Sequence, residues 1–269
     1  KNIIKRIWKF AGGIMLISLV SALNTQMDKL AISALLSLET LGYYTLAVSL
    51  SSVILAFATP FSSAVLPRFT NLYSDGKAEE AFTLYRKISL FLSITVFSIY
   101  ANMMFFSERL FFVWTGDVEL ASKAYLYLPY LAFSMSMLAI AVIPYSIALA
   151  NGYTRLNNIM GLVSLFVTLP GYWIATNLFG GVGAAIVFCI VQTITTFVYY
   201  YYINKKFIKT QLVKAIFSRQ IIRPLFTAVF TVYLIQFLPV FYEKSRFITF
   251  VYIGISTGVT LFITIILSF

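Results

Sequence analysis

Residues 124–150 read AYLYLPYLAFSMSMLAIAVIPYSIALA, a run without one charged side chain. A helix of this length is long enough to cross the hydrocarbon core of a bilayer, which is about 30 Å thick. Similar continuous runs recur along the 269-residue chain, which is 60% hydrophobic and only 11% charged. Soluble domains carry about 25% charged residues. The composition therefore predicts an all-α, polytopic membrane protein rather than a soluble one.

The apolar runs predict eight transmembrane helices, joined mostly by short connections that make sequence neighbours antiparallel. Their expected bounds are 10–36, 42–66, 88–106, 124–150, 157–177, 181–203, 222–240 and 247–268. Two connections are longer, residues 67–87 and 204–221. Each contains a basic amphipathic stretch, 78–87 in the first and most of the second. We expect both stretches to lie as helices along the membrane surface, with their cations towards lipid headgroups.

The positive charges give an orientation. Of the 20 Lys and Arg residues, 15 fall on the side that holds the amino terminus and the connections 67–87, 151–156 and 204–223. Excess Lys and Arg mark the cytoplasmic side of a membrane protein. We therefore expect both termini to be cytoplasmic. Topology and membrane lipids also explain the net charge of +11, so we expect no nucleic-acid partner.

Polar residues concentrate on one side of the first predicted span. At 100° per residue, one broad arc holds Ser18, Ser21, Asn24, Thr25, Gln26, Asp28, Lys29 and Ser33. A charge near the bilayer centre costs about 2.5–3.5 kcal/mol on insertion scales, so Asp28 and Lys29 should face protein or water. Two interpretations stay open. We favour a water-filled cavity, and the alternative is structural pairing of the two charges with each other or with a neighbouring helix.

The second span adds a face of small polar residues. Its members are Thr45, Ser49, Ser52, Ala56, Thr59 and Ser63, with Pro60 placed to bend the helix. Taken alone, such a face is also typical of close helix packing. Beside the first span, the better interpretation is a polar seam shared by the two helices. Candidate contacts for a polar substrate are therefore Asn24, Thr25, Gln26, Ser49 and Ser52.

Enzyme chemistry has little support in the sequence. The chain has no histidine and one cysteine, Cys189, which excludes a His-based metal site, a Cys-x-x-Cys pair and a Ser-His triad. The glycines at 180–183 lack the Lys-Ser/Thr of a phosphate loop and are explained by small residues that open a helix. Asp117 is predicted to be a turn or cap residue. Arg68 is a candidate phosphate contact, although a positively charged membrane anchor is the favoured interpretation of this residue.

Several short motifs resemble one family when they are taken in order. The first two are Asn24-Thr25-Gln26-Met27-Asp28-Lys29-Leu30 and Leu41-Gly42-Tyr43-Tyr44; the others are Pro67-Arg68-Phe69, Trp114-Thr115-Gly116-Asp117, Asn151-Gly152-Tyr153-Thr154-Arg155-Leu156 and Gly181-Val182-Gly183-Ala184-Ala185. Over residues 15–200 the sequence resembles the C-terminal part of O-antigen (Wzx-type) flippases. These are polysaccharide biosynthesis proteins of the multidrug/oligosaccharidyl-lipid/polysaccharide exporter (MOP) superfamily.

The resemblance implies a MATE-like transporter, in which two helical lobes enclose a central cavity and alternate its access. Residues 1–203 would form the six-helix C-terminal lobe, 204–221 a basic cytoplasmic connector, and 222–269 two additional helices. We expect further residues upstream of Lys1, including the N-terminal lobe that would supply the other wall of the cavity.

The family's substrate is undecaprenyl-pyrophosphate-linked oligosaccharide. Such proteins move it from the inner to the outer leaflet of the bacterial inner membrane, for O-antigen or capsular polysaccharide synthesis. The polysaccharide polymerase machinery would be a further partner.

From the polar faces and the family resemblance together, we expect Lys29, with Arg68 as a second contact, to attract the pyrophosphate. The polar faces of the first two spans would guide the sugars through water. Asp28 either binds a coupling proton or sodium ion or balances Lys29, and no cofactor or metal is expected. The alternatives are a multidrug-type exporter of the same superfamily, a membrane-embedded polymerase or glycosyltransferase, and a structural scaffold.

Overall fold

The computed structural model describes residues 2–208, 218–237 and 245–268. Within these ranges the chain is helical and contains no strand, which confirms the all-α prediction. The α-helices are α1 (Asn2–Leu35), α2 (Leu38–Ser74), α3 (Ala78–Phe105), α4 (Ser107–Thr115), α5 (Val118–Ala124), α6 (Leu128–Ala150), α7 (Arg155–Ile203), α8 (Arg223–Ile235) and α9 (Arg246–Ser268). Two π-helical turns, Asn204–Ile208 and Ser218–Ile222, follow α7 and precede α8.

Five helical stretches in the described ranges are long and apolar enough to cross a membrane. Four of them are α2, α3, α6 and α9. The fifth is α7 with the turn that follows it, which runs from Arg155 to Phe207 over 53 residues. A stretch of 53 residues is far longer than one crossing needs. The chain is therefore a multi-pass membrane protein, whereas the count of eight spans stays a prediction.

Gly180 divides α7 into two arms. Its backbone has φ 63° and ψ −155°, a conformation essentially restricted to glycine. The arms then run back along each other at very short distance, because a Cβ on Gly183 would lie 2.0 Å from the carbonyl oxygen of Ala175. The two spans expected at 157–177 and 181–203 correspond to these arms.

Each helix has a preferred partner in the bundle. α1 packs mainly against α7, α2 packs mainly against α6, and α6 also contacts α7 and α3. α8 and α9 pack against α3. Large side chains fill the core, among them Phe69, Leu92, Phe97, Phe111 and Leu128. α3 and α6 are well enclosed, and every residue of α3 from 92 to 98 is buried.

The short helices α4 and α5 lie at one end of the bundle and are held there by two cations. Lys123 Nζ lies 3.1 Å from Glu119 and 3.4 Å from Glu39 at the start of α2. These carboxylates, Glu119 first, raise the pKa of Lys123 above its ordinary value. Arg246, at the start of α9, donates to the carbonyl oxygens of Val113 (2.8 Å) and Trp114 (3.1 Å).

The opposite end of the bundle carries the turn between α6 and α7. There Lys206 Nζ lies 3.3 Å from the ring centroid of Tyr153. The two ends are thus formed by the connections that the sequence assigned to opposite sides of the membrane. Which end is cytoplasmic stays a prediction.

The interpretation of residues 67–87 as a connection with a surface helix is wrong. α2 continues through Pro67 to Ser74, and α3 already begins at Ala78. The stretch 78–87 is amphipathic because one side packs inside the protein, where Ala81 and Tyr85 are fully buried. Proline is tolerated within membrane helices, so Pro67 did not mark an end. The second predicted surface helix falls largely on residues 209–217, which lie outside the described residues.

Asp117 is a cap residue, as predicted. Gly116 ends α4 with a left-handed backbone, φ 77°. Asp117 then begins α5 by accepting hydrogen bonds from the backbone N–H groups of Glu119 (2.9 Å) and Leu120 (3.1 Å). The Trp114–Asp117 motif therefore builds the bend between two short helices.

Candidate functional site

The polar side of α1 divides into buried and exposed members. Thr25, Gln26 and Ser33 are exposed, Lys29 is half-buried, and Asp28 is only 7% exposed. The arc that looked uniform in sequence therefore faces two environments. One edge packs against neighbouring helices, and the other is covered by no described part of the chain.

Asp28 is part of the helix packing. Its Oδ2 accepts a hydrogen bond from the hydroxyl of Tyr44 on α2 (2.8 Å), and its Oδ1 accepts one from the backbone N–H of Lys29 (2.8 Å). Tyr44 is itself fully buried. For Asp28, pairing with a neighbouring helix is thus the interpretation that fits the structure. Its predicted role with substrate or a coupling ion stays a prediction.

Lys29 points away from Asp28. Its Nζ donates to the Thr25 carbonyl oxygen and to Gln26 Oε1, both at 3.3 Å. None of the ion pairs between described residues involves Lys29. The ammonium group therefore lies along the uncovered side of α1 with neutral partners, and its charge is not balanced by a contacting carboxylate of the described chain.

Asn24 joins α1 to α7. Its Nδ2 donates to the carbonyl oxygen of Gly161 (3.3 Å), and its Oδ1 accepts from the Thr168 hydroxyl (3.1 Å). Gly161 permits this approach, because a Cβ there would lie 3.1 Å from a methyl group of Val20. Asn24 therefore fixes the distance between the two helices at this level.

The small polar face of α2 is uncovered along most of the helix. Ser49, Ser52, Thr59 and Ser63 are exposed, and each hydroxyl donates to a carbonyl oxygen of its own helix. From Ser49 to Ser63 this face is roughly 20 Å long at the α-helical rise of 1.5 Å per residue. It spans much of the hydrocarbon thickness without a packing partner in the described chain.

Arg68 lies far from Lys29. The hydrogen bond between Tyr44 and Asp28 places the start of α2 level with Lys29. From Tyr44 to the exposed Arg68, α2 rises by roughly 35 Å. The two cations therefore stand near opposite ends of the bundle and are too far apart to hold one pyrophosphate at the same time, and the role of each with a substrate stays a prediction.

A cavity of about 390 Å³ opens between α1, α6 and the two arms of α7. Of the predicted contacts, Asn24 and Thr25 line it. Asp28, Lys29, Gln26, Ser49, Ser52 and Arg68 are not among its lining residues. The sequence interpretation did not identify its other polar members, which include Tyr145, Asn157, Ser164, Tyr172, Gln192 and Tyr199. These residues are far apart in sequence and come together only through the α7 hairpin.

The cavity is lined by uncharged residues, and most of its surface is apolar. The described residues that line it include no Asp, Glu, Lys or Arg. Asn157 accepts a short hydrogen bond from the Tyr199 hydroxyl, whereas its amide nitrogen is buried without a partner among the described residues. Gln192 Nε2 donates to Thr196 Oγ1 at 3.4 Å, and Thr196 Oγ1 donates to the Met137 carbonyl oxygen at 3.2 Å.

The described helices thus form a multi-pass bundle with one uncovered polar side and a mostly apolar cavity. Among solved structures, the chain is similar in fold to a MOP superfamily transporter from Pyrococcus furiosus, described by the reversed polarity of its binding pocket. The TM-score is 0.57 at 16% identity, over 97% of this chain and 62% of that one. The chain thus spans less than two thirds of the length of that transporter.

A family model matches part of the sequence. Residues 1–124 match the family described as polysaccharide biosynthesis proteins. No curated protein matches significantly. The family match covers less than half of the chain and agrees with the resemblance to polysaccharide biosynthesis proteins, and the structural similarity shows that the chain shares the fold of a MOP superfamily transporter. The match includes the whole of α1 and α2, and therefore the entire uncovered polar face.

Proposed function

We propose that the protein is a flippase that moves a prenyl-pyrophosphate-linked oligosaccharide from the inner to the outer leaflet of a bacterial inner membrane. The observation that carries the proposal is the uncovered polar face of α1 and α2. It combines small hydroxyl side chains with one cation, Lys29, that forms no ion pair within the described chain, and it belongs to the part of the chain that matches polysaccharide biosynthesis proteins.

A hydrophilic headgroup cannot cross hydrocarbon without polar surroundings, because each unsatisfied polar group costs several kcal/mol there. The face of α2 offers hydroxyl groups over roughly 20 Å, from Ser49 to Ser63. Sugars would pass along this face while the prenyl tail remains in the membrane lipid. A second lobe, formed by sequence outside this chain, would close the path from the other side.

The separation of Arg68 and Lys29 suggests successive roles for them. With the amino terminus cytoplasmic, exposed Arg68 stands near the cytoplasmic end of α2 and would receive the pyrophosphate as it enters. Lys29 stands near the outer end of α1 and would attract it as the path opens outwards. Movement of the lobes between these states is the alternating access of other transporters.

The decisive test uses the full-length protein in cells that depend on it for surface polysaccharide. Lys29→Ala should lower polysaccharide display at least tenfold, about 1.4 kcal/mol in rate terms, while lipid-linked repeat units accumulate on the inner leaflet. Lys29→Arg should retain most of the display, because the charge is kept. Protein amount in the membrane is measured alongside.

Lys77→Ala is the matched control, because Lys77 is an exposed cation in the turn between α2 and α3. It should leave display unchanged. Normal display by Lys29→Ala would remove Lys29 from the mechanism. Accumulation of unpolymerised repeat units on the outer leaflet of cells lacking the protein would indicate a polymerase, and loss of drug resistance alone would indicate a multidrug-type exporter.

A further inference from the structure

The cavity between α1, α6 and α7 is long and narrow. Its lining residues on the first arm of α7 run from Asn157 to Tyr172, roughly 22 Å at the α-helical rise, and those on the second arm run from Phe188 to Tyr199, roughly 16 Å. The volume spread over this length is about 390 Å³. Because an apolar cavity of about 150 Å³ can bind benzene, this space corresponds to a hydrocarbon of on the order of fifteen carbons. Its elongated form suits a chain better than a compact ring.

Apolar side chains form most of the wall. They come from α1, α2, α6 and the second arm of α7, and include Val20, Leu55, Leu138, Val142, Phe188 and Val191. A cavity with such a wall gains nothing from water, whereas an apolar ligand inside it removes hydrocarbon surface from polar surroundings. The wall therefore favours a hydrocarbon ligand.

Several polar residues of the lining bond to one another. Asn24 Oδ1 accepts from the Thr168 hydroxyl at 3.1 Å, and Gln192 Nε2 donates to Thr196 Oγ1 at 3.4 Å. These hydrogen bonds use polar atoms of the lining within the protein itself. They hold the helices around the cavity in place and do not require a polar ligand.

A cation lies beside the mouth of this apolar space. Ser21 and Thr25 line the cavity and are both exposed, so the cavity is reached from the uncovered side of α1. Lys29 follows Thr25 one helical turn later, and its Nζ donates to the Thr25 carbonyl oxygen at 3.3 Å. Lys29 takes part in none of the ion pairs between described residues. The charge at the mouth thus complements an anionic headgroup whose hydrocarbon chain enters the cavity.

The direction of the cavity fits a lipid in a leaflet. Lys29 stands near one end of the bundle, whereas Asn157 lies just after the turn between α6 and α7, at the opposite end. A chain that starts at Lys29 therefore runs along the helices towards the middle of the membrane. With the amino terminus cytoplasmic, this is the direction of a lipid whose headgroup faces the outer side.

We propose that the cavity is a subsite for the isoprene units next to the pyrophosphate of the transported lipid, with the pyrophosphate held at Lys29. The remainder of the prenyl tail is too long for the cavity and stays in the membrane lipid. The inference rests on the proposed flippase function and adds how the lobe recognises the carrier itself, apart from its sugars.

The first experiment measures binding of two probes to the purified full-length protein in phosphatidylcholine nanodiscs. The probes are inorganic pyrophosphate and farnesyl pyrophosphate, whose tail has about the length that the cavity holds. We expect farnesyl pyrophosphate to bind at least tenfold more tightly than pyrophosphate. Ser164→Phe places a ring in the cavity and should reduce this advantage to less than threefold, whereas Lys29→Ala should weaken the binding of both probes.

Val163→Phe is the matched control, because Val163 precedes Ser164 on the same arm but is exposed and does not line the cavity. It should keep the full advantage of the prenyl probe. Equal affinities of the wild type for the two probes, or equal losses in the two phenylalanine variants, would overturn the subsite but not the flippase. Translocation of a sugar-linked carrier by the wild type is measured separately, and its failure would overturn the proposed function.

A second measurement does not depend on the folding of the phenylalanine variant. With the single native thiol removed by Cys189→Ala, Ser164→Cys places a thiol in the cavity wall. N-ethylmaleimide should modify it, and farnesyl pyrophosphate should slow the modification at least fivefold, whereas pyrophosphate should change it less than twofold. Equal protection by pyrophosphate would overturn the subsite. Equal protection in nanodiscs of phosphatidylglycerol without any prenyl probe would also overturn it, because an ordinary acyl chain would then fill the cavity.

Discussion

α1 and α3 carry similar numbers of hydroxyl and amide side chains in the middle of apolar helices, yet the two helices use them differently. On α3, Ser89, Ser93, Ser98 and Asn102 are all buried. Asn102 accepts from the Ser256 hydroxyl at 2.6 Å and so joins α3 to α9. On α1 most of the corresponding side chains are exposed.

The difference shows that polar residues in a membrane helix have two separate explanations. Those of α3 hold helices together, as small polar residues commonly do in membranes. Most of those on the polar side of α1 and on the Ser49–Ser63 face of α2 remain exposed after packing, and Asn24, which bonds to α7, is an exception. Exposure after folding, rather than polarity in sequence, separates a face that is free for other contacts from a packing face.

The largest effect is expected on the yield of folded protein, when a lysine is placed on α3 and, for comparison, on α1. Ser93→Lys on α3 would bury an ammonium group at a fully buried position, which costs several kcal/mol. We expect little or no folded protein after detergent extraction. Ser33→Lys, at an exposed position of α1, should leave the yield within about twofold of wild type. Size-exclusion chromatography of the two variants measures the difference, and equal yields would show that the two faces do not differ.

A smaller effect is expected from two adjacent serines of α2. Ser51 is fully buried and Ser52 is exposed. Ser51→Leu should overpack the helix interface and lower the free energy of unfolding by about 1–3 kcal/mol. Ser52→Leu should leave thermal stability unchanged but slow transport severalfold, because it removes a hydroxyl from the polar face. If Ser52→Leu destabilised the protein and Ser51→Leu did not, the assignment of faces on α2 would be reversed.

The smallest effect concerns Lys123, outside the membrane-spanning helices. Its pKa is raised by Glu119 and Glu39, so the contacts favour the charged form and contribute stability below the ordinary pKa of 10.5. That contribution is lost as the pH rises through the raised value. Lys123→Ala should therefore lower the Tm slightly at pH 7–9, and the difference from wild type should disappear at strongly alkaline pH. Lys77 forms an exposed ion pair with Asp75 at 4.0 Å, and Lys77→Ala should leave the Tm almost unchanged.

Hydropathy predicted most of the architecture. Long uncharged runs located α6 and α9 and both arms of α7, because burial in lipid requires the same composition wherever the helix packs. The ends of α2 and α3 were missed for two reasons. Pro67 lies inside a helix that continues, and the amphipathic pattern of 78–87 reflects contact with other helices rather than with the membrane surface.

The candidate site was only partly visible in sequence. Periodicity found the polar side of α1, but it did not show that Asp28 turns inwards to Tyr44 while Lys29 turns outwards. Asn157 and Gln192 gave no signal, since Asn157 stands beside Asn158 at the start of a predicted span and Gln192 is a single amide within an apolar run. They meet only because Gly180 reverses the chain, and a pattern along one helix carries no information about which residues of a later helix will face it.

The close contact of Gly183 with Ala175 has a consequence for how the protein enters the membrane. Neither arm of α7 reaches its final place unless the other lies beside it, because the two backbones touch. The hairpin is therefore the smallest unit that can be inserted correctly. A nascent chain that ended after the first arm would present the translocation machinery with an apolar helix that lacks its packing partner.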